Sequence, residues 1–315
     1  MTIAVGSPGE LQGPRVVALF GPTGAGKTDV AAELGGLLEE ASSRAVAINC
    51  DSMQVYAEMP VLTGSPGPLE RELLEHRLVG FLSVKSEFSA GAFGELAKKE
   101  IDSVLEAGLW PIVVGGTGLY MRAALTDLTL LPPVPEEVLA RVERAVETEG
   151  SPSLHRRLPE EVKRWVHPND RKRVARYTAL IEVGESPRPP TASGGQLWEA
   201  PFRKPTTVVG LVLDRDQLES RVRHRVEHMA QSGAIEEART VRGLGPSRTA
   251  AKAIGLDEFA AGDLEAAQQR HLTLARRQLT WLKKMEGVQL VDRTKLTDRE
   301  TAQRVFDLLA RGDGE

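Results

Sequence analysis

The chain has 315 residues, of which 41% are hydrophobic, and this is enough to bury a sizeable core. Its formal net charge of −4 argues against a protein whose whole surface coats nucleic acid, although a local basic patch is compatible with it. The single cysteine, Cys50, excludes a disulfide framework and a cysteine-rich zinc site, and we expect it to be a small core residue. Without a secretory pattern or an apolar run of membrane length, the sequence predicts a soluble, cytoplasmic protein with no membrane partner.

The order of strand and helix patterns along the chain is typical of a parallel α/β sheet. Apolar, β-branched runs predict strands at Val16–Phe20, Arg44–Asn49, Leu78–Leu82, Trp110–Val114, Thr207–Leu213 and Val288–Val291. Helical patterns cover Asp29–Glu40, Glu136–Glu149, Ser153–Arg157, Glu160–Val166, Arg171–Val183, Gln217–Gln231 and Leu264–Met285.

The first predicted strand leads into a glycine-rich segment that matches the phosphate-binding pattern G-x-x-x-x-G-K-[ST]. Its residues are Gly21, Pro22, Thr23, Gly24, Ala25, Gly26, Lys27 and Thr28. Between a strand and a helix, backbone N–H groups and the helix N-terminus favour phosphate, Lys27 reaches the outer oxygens, and the Thr28 hydroxyl can ligate Mg²⁺. The alternative is a glycine-rich turn with a chance lysine. The pattern indicates a di- or triphosphate ligand and leaves the attached group open.

We therefore predict an α/β fold: a P-loop-type parallel sheet core with a helical insertion domain and a helical C-terminal region. The interval between the fourth and fifth strands is too long for one crossover helix, so the insertion is placed there. The first part of the core is assigned to 15–124, the insertion to 125–205, and the second part with the C-terminal helices to 206–315. Residues Glu185–Pro205 are interpreted as the return linker.

Two further loops follow predicted strands and would lie near the phosphate loop. Asp51 comes after the second strand, where an aspartate holds Mg²⁺ in kinases or acts as general base in group-transfer enzymes. A structural alternative is that Asp51 caps a helix. The turn Gly115–Tyr120 follows the fourth strand, and its Thr117 could reach the same crevice, although a plain tight turn explains it equally well.

Arg221 and Arg225 are four residues apart on the helix after the fifth strand and therefore project from one face. They form either a solvated charge stripe or a contact to a departing pyrophosphate, whose oxygens a guanidinium pairs bidentately. The same helix matches the zinc-protease pattern H-x-x-E-H at 224–228. We interpret that match as chance because no distal carboxylate stands out as a third ligand.

The densest basic stretch of the chain is Lys163–Tyr177, within the predicted insertion. Its lysines and arginines would pair with a phosphodiester backbone and release counterions, and Trp165 or Tyr177 could stack on unpaired bases. A solvated helix face is the alternative.

Taken in order, these motifs resemble those of the bacterial tRNA dimethylallyltransferase family, also called the IPP transferase family. The matching segments are GPTGAGKT (21–28), DSMQVY (51–56), VGGTGLY (114–120), HPNDRKRVAR (167–176), AAKAIGLDE (250–258) and RRQLTWLKK (276–284). The resemblance covers nearly the whole chain beyond Pro14. It implies transfer of a dimethylallyl group from dimethylallyl diphosphate to the exocyclic amine of the tRNA adenosine immediately 3′ of the anticodon.

The resemblance also implies residue roles. Asp51 would be the general base, Arg225 would contact the pyrophosphate with Lys27, and Thr117 would line the channel where the two substrates meet. Residues 21–28 would hold the diphosphate, with Mg²⁺ as cofactor at Thr28. The implied tRNA contacts are Asp51, Ser52, Met53, Gln54, Lys172, Arg173, Val174, Ala175 and Arg176. The partners would be the anticodon stem-loop of tRNA and dimethylallyl diphosphate, and we expect a monomer.

Three segments depart from the family pattern. Residues 57–66 keep only Met59, Thr63 and Pro66 of the usual motif, Tyr177–Val183 diverges from the usual continuation, and Ser83–Glu87 lacks the common aspartate-proline pair. Three other interpretations stay open: prenylation of free adenine nucleotides, a small-molecule P-loop kinase that uses ATP, and a nucleotide-regulated RNA-binding protein without catalysis. The helical insertion favours tRNA over free nucleotides. A kinase would leave the basic insertion and the C-terminal motifs without an evident use.

Overall fold

A computed structural model describes residue 11 and residues 13–128, 131–187 and 201–311. The described residues form two compact units. The larger unit extends to Thr126 and resumes at Phe202, and the smaller unit comprises Asp127–Pro201. Most of the predicted return linker, residues 188–200, lies outside the described residues.

The larger unit is built on a six-stranded sheet in the order β3-β2-β4-β1-β5-β6, with every pair parallel. The strands are β1 (Val16–Phe20), β2 (Ala45–Asn49), β3 (Glu75–Arg77), β4 (Trp110–Gly115), β5 (Thr206–Val212) and β6 (Gln289–Asp292). All five residues of β1 are buried, as expected of a central strand whose two faces are both covered. The predicted α/β class is confirmed.

Helices account for most of the remaining described chain. They are α1 (Lys27–Glu40), α2 (Pro60–Thr63), α3 (Pro68–Leu73), α4 (Ala90–Glu106), α5 (Gly118–Leu125), α6 (Glu136–Glu149), α7 (Ser151–Arg156), α8 (Glu160–Lys163), α9 (Arg171–Glu182), α10 (Arg215–Gln231), α11 (Ala234–Leu244), α12 (Leu256–Ala261), α13 (Leu264–Leu282) and α14 (Asp298–Arg311). Residues Ala250–Lys252 form one 3₁₀ turn. None of these helices is long and apolar enough to cross a membrane.

The strand register brings three loops to one edge of the sheet. Val114 of β4 pairs with Leu19 of β1 on one side and with Asn49 of β2 on the other. Because all three strands are parallel, the segments that follow them meet at their carboxyl ends, which is where α/β sheets bind ligands. Behind this edge, a core that includes Leu34, Trp110 and Phe306 fixes α1 and α14 against the sheet.

The predicted strand Leu78–Leu82 is wrong. The observed strand β3 ends at Arg77, and the backbone then turns because Leu78 and Gly80 have φ angles of 60° and 63°. The amides of Gly80 and Phe81 donate to the carbonyls of Gln54 and Val55 at 2.8 and 2.9 Å. The apolar run therefore packs on the loop after β2 instead of extending the sheet.

The smaller unit comprises α6 to α9 and has its own apolar core. Val142, Val146, Leu154 and Leu180 are buried within it, and so is Tyr177, which is 1% exposed. The suggestion that Tyr177 stacks on an unpaired base is therefore wrong, because the ring is fully covered within its own unit.

Candidate active site

A cleft in the larger unit lies where the loops after β1, β2 and β4 meet. It brings together most of the predicted site residues of this unit, namely Thr23, Gly24, Gly26, Lys27, Thr28, Asp51, Met53, Gln54 and Arg225. The other loop residues, Gly21, Pro22 and Ala25, are buried and do not line it. Ser52 and Thr117 are half-buried and also lie outside the lining.

The phosphate loop has the backbone that its glycines permit. Gly24 and Gly26 have φ angles of 83° and 68°, and Gly26 immediately precedes α1. A Cβ on Gly26 would lie 2.3 Å from Nη1 of Arg293, a buried side chain that donates to the Ala25 and Gly26 carbonyls and pairs with Asp298. Arg293 thus supports the loop from the side of β6, and no sequence motif had pointed to it.

Lys27 begins α1 and directs its ammonium group back along the loop. Its Nζ donates to the carbonyls of Gly21 and Pro22, each at 3.0 Å. Burial is the main reason that the pKa of Lys27 falls from 10.5 to about 8. The positive charge of Arg225 lowers this pKa further, whereas Asp51 raises it. The cleft therefore concentrates positive charge, which suits a polyanionic ligand.

Asp51 follows β2 in a turn, and its carboxylate lines the cleft. Its Oδ1 accepts the Met53 amide at 2.8 Å, and its own amide donates to Oδ1 of Asn49 at 3.1 Å. Among the described residues the next helix begins only at Pro60, so the helix-cap alternative for Asp51 is wrong. The turn holds the carboxylate in place through Oδ1.

Arg225 projects from α10 into the cleft, and its Nη2 donates to the Thr63 carbonyl at 3.3 Å. Its buried Nε has no hydrogen-bond partner among the described residues. Burial lowers the pKa of the Arg225 guanidinium, and the nearby Asp51 opposes this effect. Arg221, on the same face, donates to the Gly24 carbonyl at 3.4 Å. Arg225 therefore lines the cleft, whereas Arg221 is exposed and lies outside the lining.

The divergent segment 57–66 forms one wall of the cleft. The Gln54 amide donates to the carbonyls of Thr63 and Gly64 at 3.3 and 3.0 Å. The Glu237 carboxylate, on α11, accepts the amides of Val61 and Leu62 at 3.1 and 2.7 Å and so caps α2. Glu237 had no sequence signal, because its partners lie about 175 residues away along the chain.

Three residues that line the cleft carry side-chain oxygens of the kind that bind magnesium, namely Thr28, Asp29 and Asp51. Mg²⁺ prefers oxygen, and it takes only one or two protein ligands when phosphate oxygens and water complete its octahedron. The described residues contain no cluster of three or more His, Cys, Asp or Glu side chains able to hold a metal. The residues of the H-x-x-E-H match therefore do not form such a cluster, and its His224 and Glu227 are exposed.

A family model described as IPP transferase matches residues 54–285 of this chain. The chain belongs to the IPP transferase family. Its relatives include proteins named tRNA dimethylallyltransferase from Maridesulfovibrio salexigens, 35% identical over 87% of this chain and 91% of the relative, and from Kineococcus radiotolerans, 36% identical over 93% and 96%.

Solved structures of IPP transferases share the fold. The tRNA isopentenylpyrophosphate transferase of Bacillus halodurans has a TM-score of 0.67 and 27% identity, covering 94% of this chain and 96% of its own. The Staphylococcus epidermidis enzyme has a TM-score of 0.66 and 26% identity over 95% and 99%. A eukaryotic dimethylallyltransferase that acts on tRNA has a TM-score of 0.74, with 22% identity over 93% and 77%.

The smaller unit of this IPP transferase holds the remaining predicted tRNA contacts, and they differ in accessibility. Lys172 and Arg173 are exposed on α9. Val174 and Ala175 are buried in the core of this unit, at 0% and 1% exposure, so their side chains have no surface to offer RNA. The Arg176 guanidinium donates to the carbonyl of Pro132. Among these predicted tRNA contacts, Lys172 and Arg173 are therefore the exposed cations.

Proposed function

We propose that this IPP transferase transfers a dimethylallyl group from dimethylallyl diphosphate to the exocyclic amine of the tRNA adenosine immediately 3′ of the anticodon. One observation supports this proposal above the others: the phosphate loop, the Asp51 carboxylate and the Arg225 guanidinium line a single cleft. An alkylation of this kind needs three elements: a binding site for the leaving group, a base, and a positive charge beside the leaving group.

In the proposed reaction, the adenine amine forms a bond to the allylic carbon while the bond from that carbon to the diphosphate oxygen breaks. The amine is a weak nucleophile because its lone pair is delocalised into the ring. Asp51 therefore accepts its proton, and a positioned base of this kind contributes on the order of 10² to 10⁴ in rate. To reach the cleft, the adenine must first leave its stack.

The departing diphosphate gains negative charge, and the cleft offers cations to stabilise it. Lys27 can exchange its two carbonyl partners for phosphate oxygens, and the unpartnered Nε of Arg225 is a free donor among the described residues. Mg²⁺ held by Thr28, with Asp29 or Asp51 nearby, would supply further charge neutralisation when bound. Lys172 and Arg173 would pair with the tRNA backbone.

The proposed setting is a monomer in the cytoplasm. The single cysteine is buried, and a tRNA substrate fits the cytoplasm. The competing kinase would use the same cradle for ATP. It would leave Arg225 without a leaving pyrophosphate, since kinases transfer the terminal phosphoryl group.

The test supplies undermodified tRNA, radiolabelled dimethylallyl diphosphate and Mg²⁺ without ATP. We expect label on the tRNA at the adenosine next to the anticodon. Label on AMP instead of tRNA would favour the free-nucleotide prenyltransferase, and phosphoryl transfer from ATP to a small acceptor would favour the kinase. Either result would refute the proposed function.

A further inference from the structure

Gln278 of α13 joins two loops of the cleft through a single side-chain amide. It is 6% exposed. Its Oε1 accepts the Thr23 amide at 2.7 Å, and its Nε2 donates to the Gly116 carbonyl at 3.0 Å. A Cβ on Gly116 would lie 2.2 Å from that Nε2, so the close approach depends on glycine. The bridge connects the phosphate loop after β1 to the turn after β4.

This bridge also limits which amides can hold a diphosphate. Thr23 N–H is already used by Gln278, and Ala25 N–H donates to the Pro22 carbonyl at 3.1 Å. The first N–H groups of α1 have no partner within the helix, by the geometry of any α-helix. The diphosphate is therefore expected to lie toward Lys27 and Thr28, and not toward Thr23.

We infer that Gln278 is a positioning residue that fixes the spacing between the diphosphate loop and the Gly116–Thr117 turn. This inference rests on the proposed function, in which one loop holds the donor and the turn borders the channel for the acceptor. The bridge needs one acceptor and one donor without charge, and a glutamine amide supplies both. A displacement of about 1 Å between reacting groups can reduce turnover on the order of 10²-fold.

The first test replaces Gln278 by methionine, which has similar length and no amide. Gln278→Met should lower kcat by roughly ten- to a hundredfold. The KM for dimethylallyl diphosphate and the Kd for inorganic diphosphate should stay within about threefold, because the amides at the start of α1 are untouched. Gln269→Met, an exposed position on the same helix, is the matched control and should behave as wild type. Unchanged kcat, or a parallel loss of kcat and diphosphate affinity, would overturn the inference.

The second test uses Gln278→Glu, which keeps the acceptor half of the bridge and removes the donor half when the carboxylate is ionised. An ionised carboxylate can still accept from Thr23 but opposes the Gly116 carbonyl, whereas the protonated acid restores the donor. The kcat ratio of this variant to wild type should therefore rise as pH falls. The cleft is also lined by other charged or titratable groups, namely Lys27, Asp29, Asp51, Glu70, Arg225 and His271. They are present in both proteins, so the ratio removes most of their effect, and a flat ratio would contradict the inference.

A measurement without turnover separates this inference from the proposed function. Hydrogen exchange at the Thr23 amide should be slow in wild type and at least tenfold faster in Gln278→Met, with the control unchanged. Equal exchange in both proteins would refute the bridge whatever the substrate is. Inactivity of wild type on tRNA, with the exchange difference present, would instead refute the proposed function and leave the bridge intact.

Discussion

At the scale of single residues, the cleft places the Asp51 carboxylate beside two cations, Lys27 and Arg225, whose pKa values are lowered there. Burial and the charge of Arg225 lower the pKa of Lys27, burial lowers the pKa of Arg225, and Asp51 opposes both shifts. The positive charge of Lys27 and Arg225 in the cleft favours an anionic ligand over a neutral one.

Replacing Asp51 by asparagine should separate chemistry from binding. The amide oxygen of asparagine can still accept the Met53 amide, so the turn should persist, but the proton acceptor is lost. Turnover should fall by roughly 10² to 10⁴, measured in single-turnover assays, while tRNA affinity stays near that of wild type. Asp216→Asn, at an exposed position of α10, is the control. Loss of tRNA binding with normal turnover of the bound tRNA would assign Asp51 to binding instead.

Diphosphate binding should take up a proton on Lys27. Its pKa is about 8 in the protein alone, and a bound anion raises it, so the complex keeps a proton that the free protein loses as pH rises above about 8. Affinity for dimethylallyl diphosphate should therefore decline with pH in that range, by up to tenfold per pH unit. Calorimetry in buffers of different ionisation enthalpy counts the protons.

Lys27→Arg provides the comparison for this experiment. An arginine stays charged throughout the range, and the titration of the ligand itself is common to both proteins. The variant should bind diphosphate with less proton uptake than wild type. Equal uptake in the two proteins would show that Lys27 does not titrate there.

At the scale of elements, several helices act on the cleft from a distance. α2 is only four residues long, and its N-terminus is capped by Glu237 from α11. The carbonyl of Thr63 in α2 accepts from both Arg225 and Gln54. The position of two cleft residues therefore depends on a carboxylate that does not line the cleft.

Glu237→Ala should both destabilise the protein and impair catalysis. It leaves two amides of α2 without their acceptor, which should cost about 1–2 kcal/mol in the free energy of unfolding and lower kcat through displacement of Arg225. Denaturant unfolding and steady-state kinetics measure the two effects. Glu236→Ala, at the exposed neighbouring position, should be near neutral. Equal effects of the two substitutions would refute a capping role.

Features set by adjacent residues could be predicted from the sequence, whereas contacts between distant residues could not. β-branched runs and local motifs gave five of the six strands, because those signals are contained in a few adjacent residues. The strand at Leu78 was misplaced because two left-handed residues decided its end. Gln278, Glu237 and Arg293 act on partners far away in the chain. Gln278 lies in the RRQLTWLKK motif, but no local pattern encodes the contacts of any of the three.

At the scale of the whole molecule, charge is distributed unevenly although the net charge is only −4. Lys27 and Arg225 of the larger unit line the cleft, whereas Lys172 and Arg173 of the smaller unit are exposed on α9. Burial of Val174 and Ala175 fixes which face of α9 is available. The sequence identified this basic stretch but could not separate its exposed residues from its core residues.

Neutralising Lys172 and Arg173 together should weaken tRNA binding and reduce its salt dependence. Each lost phosphate contact should lower the slope of log K against log salt by about 0.7 to 0.9, so the double alanine variant should lose roughly 1.5. Titrations at several salt concentrations provide the slopes. Arg144 and Arg156, also exposed on the smaller unit, give a control pair that removes the same charge. An unchanged slope would exclude α9 from the interface.

Gly64 links the wall of the cleft to its arginine. It has a φ angle of 60°, and a Cβ there would lie 1.9 Å from Nη2 of Arg225. The Cβ of any other residue at this position would clash with the Arg225 guanidinium. The residue that position 64 accepts therefore depends on Arg225 as well as on the local backbone. A homologue without this glycine would need a shorter side chain at position 225 or a different placement of the arginine.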